Sequence, residues 1–143
     1  MIDHERAVRF EEVDAAGILF FARFSNYCHE AMELFFESLP GGYASMITQR
    51  KVGFPAVHVT SDFEAPIRYG DVARITGTVT KLGTTSVSFD FVVTRADDGT
   101  AIAKMRHVHV CTDLTTMTKL PFPADIKAAL TKHVAAPLAS PAP

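Results

Sequence analysis

A lone acid stands at the mouth of an apolar run. Residues 13–24 read VDAAGILFFARF, and Asp14 is the only acid among them. A charge in such surroundings loses hydration unless something replaces the water. Two roles fit. Asp14 could cap a helix or the turn before it, which is a common use of Asp. Alternatively, it could act as a nucleophile or general base in a dry pocket. A helix starting just downstream would offer free N–H groups to polarise an incoming carbonyl oxygen. Gly17 would allow a tight backbone path and the close approach of a ligand. Ile18, Leu19, Phe20 and Phe21 would exclude water and strengthen both effects. Together these pieces suit attack on an activated acyl group, and the residue types alone leave both roles open.

Other residues with chemical potential are weaker. His107, His109 and Cys111 alternate along the chain. On one straight strand they spread too widely for a compact tetrahedral site, so packing or a subunit surface is expected and no metal. His58 stands alone on an expected strand, where a structural role is the commoner one, though it could line an acyl pocket. Arg68, Lys81, Lys104 and Arg106 could meet phosphates, yet each also reads as an ordinary surface base. The sequence contains neither a Gly-rich phosphate loop nor a G-x-S-x-G nucleophile elbow.

The elements that must position these residues follow from periodicity. RAVRFEEV, residues 6–13, predicts a short strand. In RFSNYCHEAMELFFESLPGG, Phe24, Tyr27, Cys28, Ala31, Phe35 and Leu39 recur at helical spacing. Asn26, His29, Glu30, Glu33 and Glu37 occupy the opposite face, and Pro40-Gly41-Gly42 ends the pattern. A helix of that extent would be about 25 Å long, with Leu34 and Phe36 widening its apolar surface. A second short helix is expected near 43–49. From residue 54 the period changes to two. Val57, Val59 and Phe63 alternate with His58, Thr60 and Asp62. Ala73, Ile75 and Val79 alternate with Arg74, Thr76 and Thr78. Val87, Phe89, Phe91 and Val93 alternate with Ser86, Ser88 and Asp90. All three segments read as half-buried strands. Asp97-Asp98-Gly99 predicts a hairpin turn into a last strand over about 101–112, and a short helix should begin near Pro123. One greasy helix and a sheet with one apolar face imply an α+β domain in which the sheet curls around the helix.

Length and composition agree with one domain over 1–134, followed by a loose Ala/Pro/Ser-rich tail over 135–143. Hydrophobic residues make up 48% and charged residues 21%, enough for a core and against global disorder. A net charge of −2 gives no electrostatic reason to expect nucleic acid or an anionic membrane as partner. Two cysteines make no disulfide framework. The opening MIDHERAVRF lacks a signal-peptide apolar region, and no apolar run could span a bilayer. A soluble, cytoplasmic protein is the expectation.

The stretch RFEEVDAAGILFFARFSNYCHEAMELF resembles the N-terminal signature of the 4-hydroxybenzoyl-CoA thioesterase family of hotdog-fold enzymes, with Asp14-Ala15-Ala16-Gly17-Ile18 as its core. CHEA at 28–31 is closer to the 1,4-dihydroxy-2-naphthoyl-CoA thioesterase branch. FEAPIRYGD and HVHVCTDLTTMTKLPFPADI extend the similarity to about residues 6–127. The resemblance implies a hotdog fold and hydrolysis of an aromatic acyl-CoA. It gives Asp14 the catalytic role, as nucleophile or as activator of water. It implies that a backbone N–H near Phe21 holds the thioester oxygen. Gly17, Phe20, Phe24, His29 and His58 would contact substrate, with His29 turned toward a neighbouring subunit. Phe20-Phe21 stands where relatives often carry Tyr or His, which removes a side-chain donor. The resemblance also implies a homo-oligomer, a dimer or tetramer with pockets between subunits, and no cofactor beyond the CoA of the substrate. Rival readings are a thioesterase for aliphatic acyl-CoA or an acyl carrier protein, and a non-catalytic acyl-CoA-binding module.

Overall fold

Alternation in the second half of the chain becomes an antiparallel sheet. The computed structural model describes residues 1–135; beyond residue 135, the expected tail lies outside the described residues. Five strands, β1 (Ile2–Ala7), β3 (Ala56–Phe63), β4 (Val72–Leu82), β5 (Ser86–Arg95) and β6 (Ala101–Val110), pair in the order β1-β4-β5-β6-β3. β2 (Val52–Gly53), β7 (Thr112–Asp113) and β8 (Thr118–Lys119) form a small second sheet. The helices are α1 (Arg23–Glu33), α2 (Gly42–Thr48) and α3 (Ala124–Thr131).

Side-chain period two places Val87, Phe89, Phe91 and Val93 on one face of β5, and all four are buried. Register carries that face across to Ala73, Ile75 and Val79 on β4 and to Met105, His107 and His109 on β6. The helix supplies the other half of the core. Phe24, Tyr27, Cys28, Ala31 and Met32 of α1 are buried, while Asn26, His29, Glu30 and Glu33 stay exposed. Cys28 Sγ lies 3.5 Å from Met105 Sδ, and Phe35 stacks on Phe89 at 4.8 Å. Burying rings of this size stabilises by roughly 1.5–3 kcal/mol each. The expected sheet wrapped on a helix is the architecture found.

Several boundaries differ from expectation. The first strand covers Ile2–Ala7 rather than 6–13, because Phe10–Glu12 closes into a 3-10 turn. The Glu12 side chain accepts the Arg9 N–H at 2.9 Å and holds that turn shut. The central helix is shorter than expected, since α1 tightens into a 3-10 turn at Leu34–Phe36. There both rings go inward, Phe35 onto Phe89 and Phe36 onto Phe54 at 5.3 Å. The last long strand ends at Val110, and Thr112–Asp113 joins the second sheet.

The largest correction concerns β3. The strand over 54–64 was expected to be half-buried and to leave an exposed edge; the edge is found, but all eight residues of β3 are exposed. The reason is topological: β3 is the edge of the sheet, paired only with β6. A bulge between Ala56 and His58 takes Val57 out of the alternating series. Val59, Ser61 and Phe63 pair with His107, Met105 and Ala103, which puts them on the helix-side face. His58, Thr60 and Asp62 lie on the outer face. Apart from the contact of Phe63 with Phe24, both faces of β3 are open among the described residues.

Candidate active site

Asp14 begins a tight hairpin. Its N–H donates to Ile18 O at 2.9 Å, and its own carbonyl accepts the Gly17 N–H at 2.9 Å. Val13 bridges Leu19 across the base. Gly17 closes the turn at φ +79°, a conformation that side chains resist. The carboxylate joins in through one atom only. Asp14 Oδ1 accepts the Ala16 N–H at 2.8 Å and the Ile18 N–H at 3.4 Å. Oδ2 bonds to nothing among the described residues. Asp14 therefore caps its own turn and not the helix, whose cap position is Ala22 with no side-chain bond. One oxygen is anchored, and the other remains available to a substrate or water.

The rest of the loop is held from both sides. Leu19 N–H donates to Ile67 O at 2.8 Å, and Ile18 bridges Arg68. Phe20 N–H donates to Glu12 O at 3.0 Å. Arg23 N–H then donates to Phe20 O and Phe24 N–H to Phe21 O, so the chain turns into α1. The Phe21 N–H has no acceptor among the described residues. It is the group expected to meet a thioester oxygen, and it lies just outside the helix rather than within it.

Glu12 is a buried acid next to this loop that the sequence reading missed. It is 5% exposed. Its carboxylate accepts Tyr27 OH at 2.8 Å and meets Arg6 Nη1 at 3.0 Å. The Arg6 guanidinium also lies 4.1 Å from the centre of the Tyr27 ring. Burial and the Glu12 bond push the Tyr27 phenol well above its usual range. A buried acid needs such partners. The available signal was the coincidence of Arg6 on a strand, Glu12 on a turn and Tyr27 on the helix, and none of these stands out alone.

The other expected residues fall into separate groups. Phe20 and Phe21 are exposed and lie 4.8 Å apart, tilted against each other. Phe24 is buried and meets Phe63 of β3 at 5.1 Å, so it belongs to the helix stripe. His29 is exposed on α1, 3.6 Å from Glu33 and 5.7 Å from the Tyr43 ring. His58 lies on the outer face of β3, away from the helix side. Of the four bases, only Arg68 adjoins the Asp14 loop. Lys81 and Arg106 line a shallow outer depression with Thr80 and Ser88, and Arg106 is bound to Asp90 at 2.6 and 2.7 Å. Lys104 lies 4.0 Å from Glu64.

His107 and His109 are buried on the helix side of β6, their rings 5.8 Å apart. His109 Nδ1 is 2.7 Å from Phe54 O. Burial, opposed by no carboxylate, pushes His107 down to about 4 and lowers His109 as well. Burial thus favours the neutral form of both rings, which pack against Phe91 and Phe89. Cys111 is buried too.

These elements match known proteins along most of their length. The model of the thioesterase-like superfamily matches residues 8–130. The chain belongs to that superfamily. It is 34% identical over 123 residues to a protein from Nostoc punctiforme named 1,4-dihydroxy-2-naphthoyl-CoA hydrolase, covering 86% of this chain and 82% of the relative. A crystal structure of a 1,4-dihydroxy-2-naphthoyl-CoA thioesterase from Synechocystis superposes with a TM-score of 0.81 at 29% identity, covering 91% of this chain and 95% of that one. A gentisyl-coenzyme A thioesterase structure superposes at 0.79 with 26% identity, over 90% and 98% of the two chains. The superfamily member described here thus has the hotdog fold, and the branch read from CHEA agrees with the names of its relatives. The matching model is broader than the 4-hydroxybenzoyl-CoA family resembled at the outset.

Proposed function

We infer that this superfamily member hydrolyses an aromatic acyl-CoA to the free acid and CoA. Asp14 acts as nucleophile or general base, and the Phe21 N–H holds the thioester oxygen. The observation that carries this reading is the division of labour at Asp14: Oδ1 is fixed by two backbone N–H groups and Oδ2 is free. A carboxylate held in one orientation needs little reorganisation when charge develops on the substrate. Exposed Phe20 and Phe21 offer flat walls for an aryl group, and the names of the relatives support that class. The reaction requires water and neither metal nor redox cofactor. The unpaired edge of β3 favours a homo-oligomer in which a second copy covers Val59 and Phe63. A cytoplasmic location fits two free cysteines, Cys28 and Cys111.

The test is thiol release from benzoyl-, hydroxynaphthoyl-type and hexanoyl-CoA, and from the same acyl groups on acyl carrier protein. The aryl-CoA substrates are expected to lead hexanoyl-CoA by about tenfold in kcat/KM, the size of two ring contacts. Equal rates for hexanoyl-CoA would remove the aromatic assignment. Faster release from the carrier protein would replace CoA as the carrier, and no release from any thioester would leave a binding module.

A further inference from the structure

The chain from Glu12 to Tyr27 is tied shut at its base, and it carries both groups assigned to the reaction. The Tyr27 hydroxyl donates to Glu12 Oε1 at 2.8 Å across fifteen positions. Inside that span lie the Asp14 carboxylate, the turn at Gly17 and the Phe21 N–H. Glu12 reaches both arms of the loop. On the outgoing arm its carbonyl accepts the Phe20 N–H at 3.0 Å, one residue before Phe21. On the incoming arm Val13 follows it directly and bridges Leu19. The side chain of Glu12 is itself fixed. Oε1 also accepts the Arg9 N–H at 2.9 Å and Arg6 Nη2 at 3.2 Å, and Oε2 meets Arg6 Nη1 at 3.0 Å. Tyr27 is fully buried early in α1, so its bond docks the start of the helix onto the turn Phe10–Glu12. Stability is a poor explanation for such a cluster. A buried carboxylate–guanidinium pair gains little over well-packed apolar side chains of the same volume. What it adds is direction, because each charge-assisted bond accepts only a narrow range of angles.

We propose that Glu12 is a positioning residue for the reaction: held by Tyr27 and Arg6, it sets the placement of the Phe21 N–H relative to the Asp14 carboxylate. The proposal rests on the acyl-CoA reading above and deepens it by naming what aims its two reacting groups. Glu12 touches no substrate and acts through the backbone of the loop. The carboxylate, or the water it activates, must meet the thioester carbon while the N–H meets the oxygen of the same carbonyl. A displacement of about 1 Å between such groups costs on the order of a hundredfold in rate. Glu12 is bonded to the helix through Tyr27, to β1 through Arg6 and to the outgoing arm through Phe20, so a shift at any of these ties is passed to the Phe20–Phe21 segment.

The experiment uses the full chain and two single variants. Y27F deletes only the hydroxyl and keeps the ring, which lies 4.1 Å from the Arg6 guanidinium. E30Q is the control, since Glu30 meets Arg6 at 3.2 Å from the exposed side of the same cluster. kcat and KM are measured for the fastest thioester of the panel above, well below the melting temperature. Y27F should lower kcat by about tenfold and keep KM within about twofold, the mark of an interaction felt mainly in the transition state. E30Q should match wild type. The second readout is the infrared C=O stretch of a bound ketone analogue of benzoyl-CoA, in which a methylene replaces the sulfur and hydrolysis is blocked. Polarisation by the N–H lowers the stretch in wild type, and in Y27F it should move back up. A bond that is structural alone would lower Tm and leave kcat and the stretch in place, and that result would overturn the proposal. An equal fall of kcat in E30Q would overturn it too, by moving the effect from the Glu12–Tyr27 bond to the charge of Arg6. If wild type hydrolyses no thioester and leaves the stretch unmoved, the thioesterase reading fails and this proposal with it. An active wild type with an unaltered Y27F overturns this proposal alone.

Discussion

Glu12 and Asp14 lie two positions apart in one short run, yet they face opposite conditions. Glu12 is buried and saturated: Tyr27, Arg6 and the Arg9 N–H all meet its carboxylate. Asp14 is half-buried, touches only the backbone of its own turn, and leaves Oδ2 unbound. An acid buried among fixed partners on both oxygens can hold a structure but is out of reach of a substrate. An acid with one oxygen anchored and one free can do chemistry in a fixed orientation. The base of the loop is held by fixed partners, and its tip leaves a carboxylate oxygen free. The two are linked, because the Glu12 carbonyl also holds the Phe20 N–H next to the free N–H of Phe21.

The strongest way to break this contrast is to neutralise the tip. Asp14→Asn keeps an oxygen that can accept from Ala16 and Ile18, so the turn should survive and Tm should hardly move. It removes the nucleophile or base, and kcat should fall by about a thousandfold, within the usual range for such groups. Near-normal turnover in this variant would return Asp14 to a turn-capping role alone.

Neutralising the base should do the reverse. Glu12→Gln leaves Arg6, whose side chain is 13% exposed, with only the exposed Glu30 at 3.2 Å as counter-charge. Breaking a buried pair outright costs roughly 3–5 kcal/mol; with Glu30 still in place a loss of about 2 kcal/mol is expected, read as a lower urea midpoint at unchanged slope. Activity at saturating substrate should fall less than for Asp14→Asn. A Glu12→Gln protein as stable as wild type but inactive would place the chemistry at the wrong acid.

Acid should also weaken a third region, the buried histidines of β6. His107 titrates near 4 when folded and at its ordinary value of about 6.5 when unfolded. Its folded form resists the proton, so the unfolded chain binds more protons between these values. Stability is therefore complete above about pH 6.5 and falls as pH drops toward 4, by up to about 3 kcal/mol for this group. His107→Gln, measured by urea unfolding at pH 7 and pH 4.5, should flatten that part of the profile. An unchanged slope would move the acid sensitivity elsewhere.

Much of this was legible in the sequence, and the failures share a cause. Period two over 87–93 and helical spacing from Phe24 to Phe35 reported burial correctly, because each element is covered within its own chain. The same period over 57–63 was misleading. Its apolar side chains stay exposed although Phe63 meets Phe24, and alternation does not report how much of a face is covered. Asp14 drew notice because it stands out in an apolar run. Glu12 did not, because its burial depends on Arg6 and Tyr27, which only the fold brings near. Phe24 was read both as part of the helix stripe and as a substrate wall with Phe20 and Phe21; the first turn of α1 sends its ring inward, into the stripe.

Gly17 offers the finest test of what the loop tip requires. It sits at φ +79°, and a Cβ built there would meet nothing within 4 Å. Gly17→Ala is thus strained by backbone conformation alone and should cost on the order of 1–2 kcal/mol. Asn tolerates positive φ better than Ala, so Gly17→Asn should recover most of that stability. Activity need not follow. If Gly17 serves only the turn, kcat/KM in the Asn variant should return with stability. If substrate passes close to the backbone at the tip, as the reading of Asp14 requires, the Asn side chain will obstruct it. We expect the second result, seen as a raised KM for benzoyl-CoA in a protein whose Tm lies near wild type. Full recovery of both would confine Gly17 to the turn and move the path of the acyl group away from it.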